Sequence, residues 1–563
     1  MRALLLNLLP LAALALSCTA PADAPGGDAD IDADADTDQG TDTGEPCVDP
    51  IDSDGDTVSD AQEGEGDFDA DGVPNVNDTD DDGDNVPTYV EAGDSDPCTP
   101  PPDHDGDDYP DFLDLDSDND SLGDADEVRR GTDPYDDDSD DDGFPDGVEV
   151  NYGSDPLDPD SGVDIDDFYV VLPYEAPEHE IRNLIFGTDI EVADVFFVVD
   201  TTGSMGGTIN GVQTGLIDTI IPGVQAQIDN AQMGVAEFED FAYGSYGSDC
   251  GGGFGGGVDR GKDHAFNLLQ QVTDDFDAVQ EAVDLLDQPM GCGADGAESY
   301  VEALYQSAVG DGILKGDGDA EPYAPAVECE MALDEPGARI GGACFRPGAL
   351  PIVLLFGDNE FHNGPPDGDF QPYNIPDADP APHTYPEAVD ALIDIGARVI
   401  GLTTSGGWGQ SLAHNQAIAT DTGTVGRDGE PLAFTYNAAG DGLDEAIVDA
   451  IEELAQEVPQ DVTTATEDTG GDLVDATRFI KDITTFAADP LAGIESMDEH
   501  TFYGTIPGTR LEFEVDFYND FQPEQENPQL YRAIIVVLGN GVARLDERAV
   551  LIQIPSLTGE LIF

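Results

Sequence analysis

Val195-Phe-Phe-Val-Val-Asp-Thr-Thr-Gly-Ser-Met205 contains the strongest fold signal in the chain. Its first half is apolar and rich in Val and Phe, which predicts a strand in the middle of a parallel sheet that is covered on both faces. Its second half places oxygen side chains at alternate positions, Asp200, Thr202 and Ser204, directly after that strand. Ligands bind such sheets outside the carboxyl ends of the strands. One carboxylate and two hydroxyls favour a hard cation such as Mg²⁺, Mn²⁺ or Ca²⁺, so the stretch predicts a metal site.

Strand and helix patterns alternate around this stretch from about residue 185 to residue 460, as a doubly wound, Rossmann-like α/β domain requires. A second apolar strand is predicted over residues 351–356, and Asp358 follows it as Asp200 follows the first. Because parallel strands end at the same edge of a sheet, we expect the two carboxylates to lie close together. Between them, Gly293-Ala-Asp-Gly-Ala-Glu298 predicts the start of a helix, with a first-turn carboxylate at the same edge.

These motifs resemble the von Willebrand factor A family, whose metal-ion-dependent adhesion site begins with D-x-S/T-x-S. The segment that ends at Glu298 is similar to the integrin β-subunit version of the second motif, in which the Glu reaches the adhesion-site metal and the Asp serves a neighbouring ion. The resemblance therefore implies a second ion near Asp295. It implies that the first ion, Mg²⁺ or Mn²⁺, is held by Asp200, Thr202, Ser204, Glu298 and Asp358. Mg²⁺ retains waters where the protein supplies few carboxylates, so a carboxylate of a partner can complete its coordination.

The net charge of the chain limits its partners. The 563 residues predict several domains, and they contain 124 Asp and Glu against 17 Lys and Arg, for a formal charge of -107. This charge excludes binding to nucleic acid or to an anionic membrane surface. Cations are the expected partners, because so many carboxylates repel one another unless bound ions neutralise them.

Much of this acidity is periodic. Between residues 50 and 165, six loops carry Asp at relative positions 1, 3 and 5: Asp52/Asp54/Asp56, Asp67/Asp69/Asp71, Asp80/Asp82/Asp84, Asp103/Asp105/Asp107, Asp116/Asp118/Asp120 and Asp138/Asp140/Asp142. Position 9 is an oxygen side chain in each loop: Asp60, Asn75, Thr88, Asp111, Asp124 and Asp146. Position 12 is a carboxylate: Glu63, Asp78, Glu91, Asp114, Glu127 and Glu149. This is the ligand spacing of an EF-hand loop, which surrounds Ca²⁺ with oxygens.

The loops lack the flanking helices of an EF-hand, and their spacing resembles that of thrombospondin type 3 repeats. In that family the chain wraps around a row of Ca²⁺ ions with little hydrophobic core. The resemblance implies that residues 50–165 form an irregular stalk whose folding depends on Ca²⁺. A solvated acidic tail is the alternative, which would require six such patterns to arise by chance.

The first residues predict export. Residues 1–17 have a basic residue, an apolar stretch and small residues before Cys18, as a secretion signal does. Ala-Leu-Ser-Cys18 resembles a bacterial lipobox, which implies a lipidated Cys18, while ordinary cleavage and full secretion are the alternative. Residues 18–49 are rich in Asp, Ala, Thr and Gly and predict a disordered acidic tether. We expect an outer-membrane or cell-surface lipoprotein that touches the membrane only through its lipid.

The six remaining cysteines suit an oxidising compartment, where disulfides form. Sequence does not choose among their pairings. Our prediction joins Cys47 to Cys98, Cys250 to Cys292 and Cys329 to Cys344.

The last part of the chain changes from helix to strand patterns. An acidic, Thr-rich linker is predicted over residues 461–472. After it, apolar and polar residues alternate at 511–518, and two further strands flank Gly539-Asn-Gly541. A C-terminal antiparallel β-sandwich is therefore predicted over residues 470–563.

The sequence favours adhesion over catalysis. The histidines are scattered, and Ser204 is not in a G-x-S-x-G motif, so we expect no enzyme. The leading hypothesis is a calcium-binding surface protein whose metal site binds a carboxylate of a protein or surface ligand. The alternative is an envelope spacer or self-assembly protein with a non-adhesive A domain.

Overall fold

A computed structural model describes residues 51–556 of the chain, except residues 65, 107–108, 160, 162–167, 248–262, 287–290, 292, 294, 317–321, 330–337, 407–408, 471–472 and 526–527. The predictions for the secretion signal, the lipidated Cys18 and the tether lie outside the described residues, as do those for Asp107, Cys47, Cys250 and Cys292. Within the described part of the chain, no helix has both the length and the apolar character needed to cross a membrane.

The Asp-rich segment folds as six loops, and each loop ends in a short helical turn. Four of the turns are α-helices: α1 (Asp60–Glu63), α2 (Thr88–Glu91), α3 (Asp124–Arg130) and α4 (Asp146–Tyr152). The other two are 3₁₀ helices, Asn75–Asn77 and Asp111–Leu113. Every turn begins at relative position 9 of its loop, so the position-12 carboxylate lies about one helical turn further on.

Two strands, β1 (Phe168–Val171) and β2 (Glu180–Phe186), follow this stalk. The central domain then consists of β3 (Val192–Asp200), α5 (Gly206–Gly215), α6 (Ile221–Gln225), β4 (Asn230–Phe238), β5 (Asn267–Thr273), α7 (Phe276–Val283), β6 (Ala297–Glu298), α8 (Tyr300–Ala308), β7 (Leu314–Lys315), β8 (Leu350–Gly357), β9 (Glu360–Phe361), β10 (Ala378–Asp379), α9 (Tyr385–Asp394), β11 (Arg398–Thr404), α10 (Ser411–Asp421), β12 (Ala433–Tyr436) and α11 (Leu443–Glu457). A π-helical turn, Leu216–Ile220, connects α5 to α6.

The final segment contains strands and two short 3₁₀ turns, Ala476–Phe479 and Leu491–Gly493. Its strands are β13 (Gln460–Asp468), β14 (Ile480–Asp489), β15 (Ser496–Met497), β16 (Phe502–Thr505), β17 (Arg510–Phe517), β18 (Gln529–Gly539) and β19 (Ala543–Ile554).

β3 lies in the middle of a six-stranded sheet with the order β12-β11-β8-β3-β4-β5. Neighbouring strands are parallel, except that β5 is antiparallel to β4. From β3 the chain first builds one side of the sheet and then crosses to the other side at β8. The topological switch point therefore lies between the carboxyl ends of β3 and β8, which is where doubly wound sheets bind ligands.

Successive side chains of β3 enter two different apolar cores, because side chains alternate across a strand. Val195, Phe197 and Val199 pack with side chains of α5, α7 and α11. Phe196 and Val198 pack with side chains of α8, α9 and α10 on the opposite face. All five side chains are fully buried. The prediction of a strand that is covered on both faces is confirmed.

β1, β2 and the strands from β13 to β19 form a second domain of two packed sheets. One sheet has the order β1-β19-β18-β13-β16-β15 and the other has the order β14-β17-β2. Phe502 of the first sheet and Phe513 of the second meet between the layers, with ring centroids 5.1 Å apart. Pairing is antiparallel except between β1 and β19, which are parallel.

The limits of this β domain differ from the predicted ones. The predicted linker is wrong over residues 461–468, because they belong to β13, which pairs with both β16 and β18. Composition alone suggested a linker, because this segment is acidic and the acidic side chains of β13 face solvent. Its Thr residues nevertheless suit a strand. The domain also includes β1 and β2, which pair with β19 and β17. The central α/β domain is thus inserted into the β domain.

The end of the stalk rests on the β domain. Phe144 and Val148, from the sixth loop and its helix, pack against Leu551 of β19. The side-chain amide of Gln553 also donates to the carbonyl oxygen of Asp120 at 3.2 Å.

One predicted disulfide, Cys329–Cys344, is present. Cys98 is also disulfide-bonded, and the partner predicted for it, Cys47, lies outside the described residues.

Candidate metal centres

Asp200, the last residue of β3, is hydrogen-bonded through both carboxylate oxygens. Oδ1 accepts the backbone N–H of Thr202 at 2.8 Å, and Oδ2 accepts the hydroxyl of Tyr300 at 3.2 Å. The Tyr300 hydroxyl in turn accepts the N–H of Asn359, also at 3.2 Å. Tyr300 is the first residue of α8. Its hydroxyl connects the end of β3, at Asp200, to the loop after β8, at Asn359.

The hydroxyls predicted from the sequence lie in the same group of side chains. Ser204 Oγ donates to Asp358 Oδ1 at 3.1 Å and lies 3.5 Å from Thr202 Oγ1. Asp200 has no exposed surface, whereas Ser204 is exposed. The group is therefore closed on the side of the sheet and open to solvent on the side of Ser204.

Glu298 is brought to this group by a two-stranded ladder. β6, which ends at Glu298, pairs in parallel with β9, which begins two residues after Asp358. The N–H of His362 donates to the Glu298 carbonyl oxygen at 3.0 Å and extends the ladder. The Glu298 carboxylate is 2% exposed, and its Oε2 accepts no hydrogen bond from the described residues.

The electrostatics of this site favour a cation. Burial raises the pKa of Asp200 to about 7, and the charge of Asp358 adds to the rise. Burial raises the pKa of Glu298 well above its ordinary value, and Asp200 is the first of the charges that raise it further. Buried carboxylates that repel one another are stabilised when a metal ion pairs with them. The structure brings together Asp200, Thr202, Ser204, Glu298 and Asp358, and their role as ligands stays a prediction.

A second group of ligand atoms lies beside Glu298. Oxygens of Asp240 and Asp295 and a ring nitrogen of His362 all lie within 4.8 Å of one another. His362 Nε2 is 3.1 Å from Asp295 Oδ1 and 3.7 Å from Asp240 Oδ2. Asp240 is fully buried, and its Oδ2 has no hydrogen-bond partner in the described part of the chain. Both carboxylates also raise the pKa of Glu298, after burial and the charge of Asp200, so the two groups are electrostatically connected.

The orientation of His362 suits metal binding. Its Nδ1 lies 2.5 Å from the carbonyl oxygen of Gln371, which can only accept a hydrogen bond. In the neutral ring the proton is therefore on Nδ1, and Nε2 offers a lone pair. Sequence reasoning placed Asp295 here but missed Asp240 and His362. A signal was available for Asp240, since it follows the end of β4 as Asp200 ends the neighbouring β3.

The stalk loops are shaped by left-handed backbone at alternating positions. Positions 4 and 6 have positive φ wherever they are described: Gly55, Thr57, Ala70, Gly72, Gly83, Asn85, Gly106, Asn119, Ser121, Asp141 and Gly143. Left-handed residues between positions 3, 5 and 7 turn the chain tightly. Where they are described, the Asp side chains at positions 1, 3 and 5 are thereby directed into the same loop.

In the fourth loop, position 3 is Asp105. In the other five loops, Oδ1 of the position-3 Asp accepts the N–H of position 5, at 2.9 to 3.4 Å. Position 5 of the fourth loop, Asp107, lies outside the described residues. Oδ2 of Asp105 accepts the side-chain amide of Asn119, which belongs to the fifth loop, at 3.0 Å. This oxygen of Asp105 therefore also links two loops, and the predicted binding of Asp105 to Ca²⁺ stays a prediction.

Position 9 closes each loop in the same way. In all six loops its side-chain oxygen accepts the backbone N–H of position 2, at 2.8 to 3.1 Å. Its own N–H donates to the carbonyl oxygen of the residue before position 1, as Asp60 donates to Ile51 at 2.9 Å. This fixes the helical turn that presents position 12. The predicted position-9 ligands therefore have a structural contact of their own, and their binding to Ca²⁺ stays a prediction.

The carboxylates inside the loops are buried together with few partners. Oxygens that accept no hydrogen bond from the described residues occur on Asp54, Asp56, Glu63, Asp80, Asp82, Asp84, Glu91, Asp116, Asp118, Glu127, Asp140 and Glu149. Burial, with neighbouring Asp charges, raises the pKa of both Glu91 and Glu127 to about 11. Oxygen-rich clusters of this kind fit Ca²⁺, which takes six to eight oxygen ligands.

Residues 138–159, which include the sixth loop, match the family profile of the bacterial TSP3 repeat. TSP3 repeats bind calcium, and the match covers the loop that contains Asp138, Asp140, Asp142, Asp146 and Glu149. The match is confined to this repeat.

Two solved structures resemble the chain at low overall similarity. A von Willebrand factor type A protein from Catenulispora acidiphila has 10% identity and a TM-score of 0.27, with 69% of this chain and 75% of that chain covered. The pilus adhesin SpaC from Lactobacillus rhamnosus GG, in an open conformation, has 13% identity and a TM-score of 0.26, with 67% of this chain covered. The alignment spans 46% of the adhesin, less than half of its length. No curated protein sequence matches the chain.

Proposed function

We propose that the chain is an exported, calcium-binding adhesion protein, anchored through a lipid on Cys18. Its inserted α/β domain binds a carboxylate of a protein or cell-surface ligand through Mg²⁺ or Mn²⁺. The ion is held by Asp200, Thr202, Ser204, Glu298 and Asp358. In this proposal the protein has no enzymatic activity and no nucleic-acid partner.

The observation that carries the proposal is a buried acidic group that opens to solvent on one side. Asp200 is fully buried and Asp358 is 6% exposed, yet the hydroxyl of the exposed Ser204 donates directly to Asp358. A cation held by these side chains would keep water at its solvent-facing position, because the protein supplies oxygens from one side only. A carboxylate from another molecule can replace that water.

The second group supports an additional ion beside the first. Asp240, Asp295 and His362 would hold it, and Glu298 lies between the two groups. The imidazole ligand favours Mn²⁺ or another transition metal over Ca²⁺ at this position. Such an ion would also reduce the repulsion that Asp240 and Asp295 exert on Glu298.

Manganese binding to the full chain tests the adhesion site. With the stalk saturated with Ca²⁺, bound Mn²⁺ is counted by electron paramagnetic resonance in the wild type, in Asp358→Asn and in Asp367→Asn. The last variant removes the same charge from an exposed loop position and serves as the matched control. We expect Asp358→Asn to weaken one Mn²⁺ site by at least about tenfold and the control to leave it unchanged. Equal binding by all three proteins would refute the site.

The open coordination position has its own measurement. A water on bound Mn²⁺ enhances the relaxation of bulk water protons, and added acetate should reduce this enhancement if a carboxylate replaces the water. Bound Mn²⁺ without relaxation enhancement would mean that the ion has no exchangeable water in its coordination shell. The domain would then be a scaffold rather than a carboxylate receptor.

A structural role is the second candidate. The contacts between the last stalk loops and β19 favour it, because they continue the stalk directly into the β domain. Sedimentation velocity of the full chain in Ca²⁺ distinguishes the two roles. Concentration-dependent assembly that survives Asp358→Asn would support a spacer that assembles with itself, whereas a monomer at all concentrations would count against it.

A further inference from the structure

Position 2 and position 9 form a side-chain pair in several stalk loops. Ser53 Oγ donates to Asp60 Oδ2 at 2.8 Å, and Ser117 Oγ donates to Asp124 Oδ2 at 2.6 Å. In both loops the hydroxyl is at position 2 and the carboxylate is at position 9. The carboxylate therefore has both of its oxygens occupied, one by this hydroxyl and one by the N–H of position 2.

The third loop exchanges these two groups. Its position 2 is Asp81 and its position 9 is Thr88, whose hydroxyl donates to Asp81 Oδ2 at 3.4 Å. Loop closure is preserved, because Thr88 Oγ1 still accepts the Asp81 N–H at 3.1 Å. The exchange leaves one carboxylate oxygen unused. Asp81 is 1% exposed, and its Oδ1 finds no hydrogen-bond partner among the described residues.

The carboxylate of Asp81 lies close to the first loop. Ligand oxygens of Asp56, Glu63 and Asp81 lie within 4.8 Å of one another, and all three residues are buried. Asp56 accepts the N–H of Val58 through Oδ1 at 3.0 Å, which leaves Oδ2 without a partner in the described chain. Neither oxygen of Glu63 accepts a hydrogen bond from the described residues.

Independent contacts hold the two loops together. Val58 of the first loop packs with Ala92, which follows α2 of the third loop, and with Phe112 of the fourth. Next to Glu63, the side-chain amide of Gln62 donates to the carbonyl oxygen of Thr99 at 2.7 Å. The approach of Asp81 to Glu63 is therefore part of a packed junction.

We propose that Asp81 is a ligand of a Ca²⁺ ion that is shared between the first and the third loops. Asp56 Oδ2, Asp81 Oδ1 and the Glu63 carboxylate bind this ion, which acts as a cross-link between loops that are not adjacent along the chain. The inference rests on the proposed calcium-binding stalk. It adds a ligand outside the 1-3-5-9-12 pattern and explains why position 2 is acidic here.

The best variant restores the polarity seen in the first and fifth loops. Asp81→Ser/Thr88→Asp keeps a hydroxyl–carboxylate pair for closure of the third loop and removes only the carboxylate that reaches the first loop. Asp81→Asn and Glu63→Gln remove a ligand charge from either side of the shared ion. Asp141→Asn is the matched control, because it removes an exposed charge at position 4 of the sixth loop.

Calcium bound to the full chain is counted by equilibrium dialysis at fixed free Ca²⁺. We expect each of three proteins to bind the same ion more weakly, by about tenfold or more: the exchange variant, Asp81→Asn and Glu63→Gln. The affinities of the other ions should not change. The double variant Asp81→Asn/Glu63→Gln should lose no second ion. The shared site would be overturned if the exchange variant bound Ca²⁺ with wild-type affinity. It would also be overturned if Asp81→Asn and Glu63→Gln each lost a different ion. Either result would leave the proposal of a calcium-binding stalk intact. A wild-type chain that binds no Ca²⁺ would instead refute the stalk proposal, and the shared ion with it.

Discussion

Replacing Tyr300 by Phe removes a single hydroxyl from the buried side of the proposed adhesion site. That hydroxyl donates to Asp200 Oδ2 and accepts the N–H of Asn359, each at 3.2 Å. Asn359 is partly exposed, so water can satisfy its N–H after the substitution. Asp200 is fully buried, so its Oδ2 loses a partner that water does not replace. The carboxylate should then be less well oriented, and it should be destabilised in the folded protein.

The size of the effect follows from these two contacts. A buried polar group left unsatisfied costs about 1–3 kcal/mol of unfolding free energy. Loss of an outer hydrogen bond to a metal ligand lowers metal affinity by about 10–100-fold. For Tyr300→Phe we therefore expect Mn²⁺ affinity at the adhesion site to fall by at least about tenfold, with a destabilisation at the lower end of that energy range.

Calorimetric Mn²⁺ titration and urea unfolding of the Ca²⁺-saturated chain measure the two quantities. Tyr305→Phe is the matched control, since Tyr305 lies on the same helix but stacks on His383, with ring centroids 3.5 Å apart. Unchanged Mn²⁺ affinity in Tyr300→Phe, together with a loss of stability, would refute the reasoning and make Tyr300 a packing residue only.

Three further predictions follow from buried contacts. Gly357→Ala should reproduce the loss of Mn²⁺ affinity in the same titration, because a Cβ there would lie 1.9 Å from the Tyr300 hydroxyl oxygen. Arg346→Met should lower the unfolding free energy by about 3–5 kcal/mol in urea titrations, since it leaves the carboxylate of the fully buried Asp194 without its guanidinium at 2.7 Å. The stability of the stalk should change with pH in opposite directions with and without Ca²⁺, and hydrogen exchange can measure this stability. In chelator its stability should fall as pH rises from about 4.5 toward 11, because burial raises the pKa of Glu91 to about 11 and the folded state retains its proton. With Ca²⁺ present its stability should rise over the acidic part of that range, because the ion binds the deprotonated carboxylates.

The first half of the proposed adhesion site was predictable because it depends on local pattern and one topological rule. An apolar strand followed by a carboxylate occurs twice, and parallel strands bring Asp200 and Asp358 to one edge. Glu298 was predicted in the first turn of a helix, which is wrong, because it ends β6 and its approach depends on the short ladder between β6 and β9. Tyr300 and His362 carried no local signal. Their roles arise from side chains that meet across loops distant in sequence.

The β domain shows the same limit on a larger scale. Alternation correctly indicated β17 and the hairpin of β18 and β19. It did not reveal that β1 lies beside β19, because Phe168 and Val550 pair across the whole inserted domain. Periodicity reports which face of a strand is buried, whereas the identity of the neighbouring strand depends on long-range packing.

The stalk and the α/β domain differ in what each retains without its ions. In the stalk, the apolar cluster of the first, third and fourth loops consists of Val58, Ala92 and Phe112, with Leu113 packed against it. Little apolar surface is buried there, so we expect the proposed binding of Ca²⁺ to supply much of the folding free energy. The α/β domain surrounds β3 with two apolar cores, so it should stay folded when its metal is removed. Chelation should therefore melt the stalk first and leave a compact domain that has lost only the ligand affinity that we propose for it. Under this proposal, stalk stiffness and adhesion should respond separately to divalent ions.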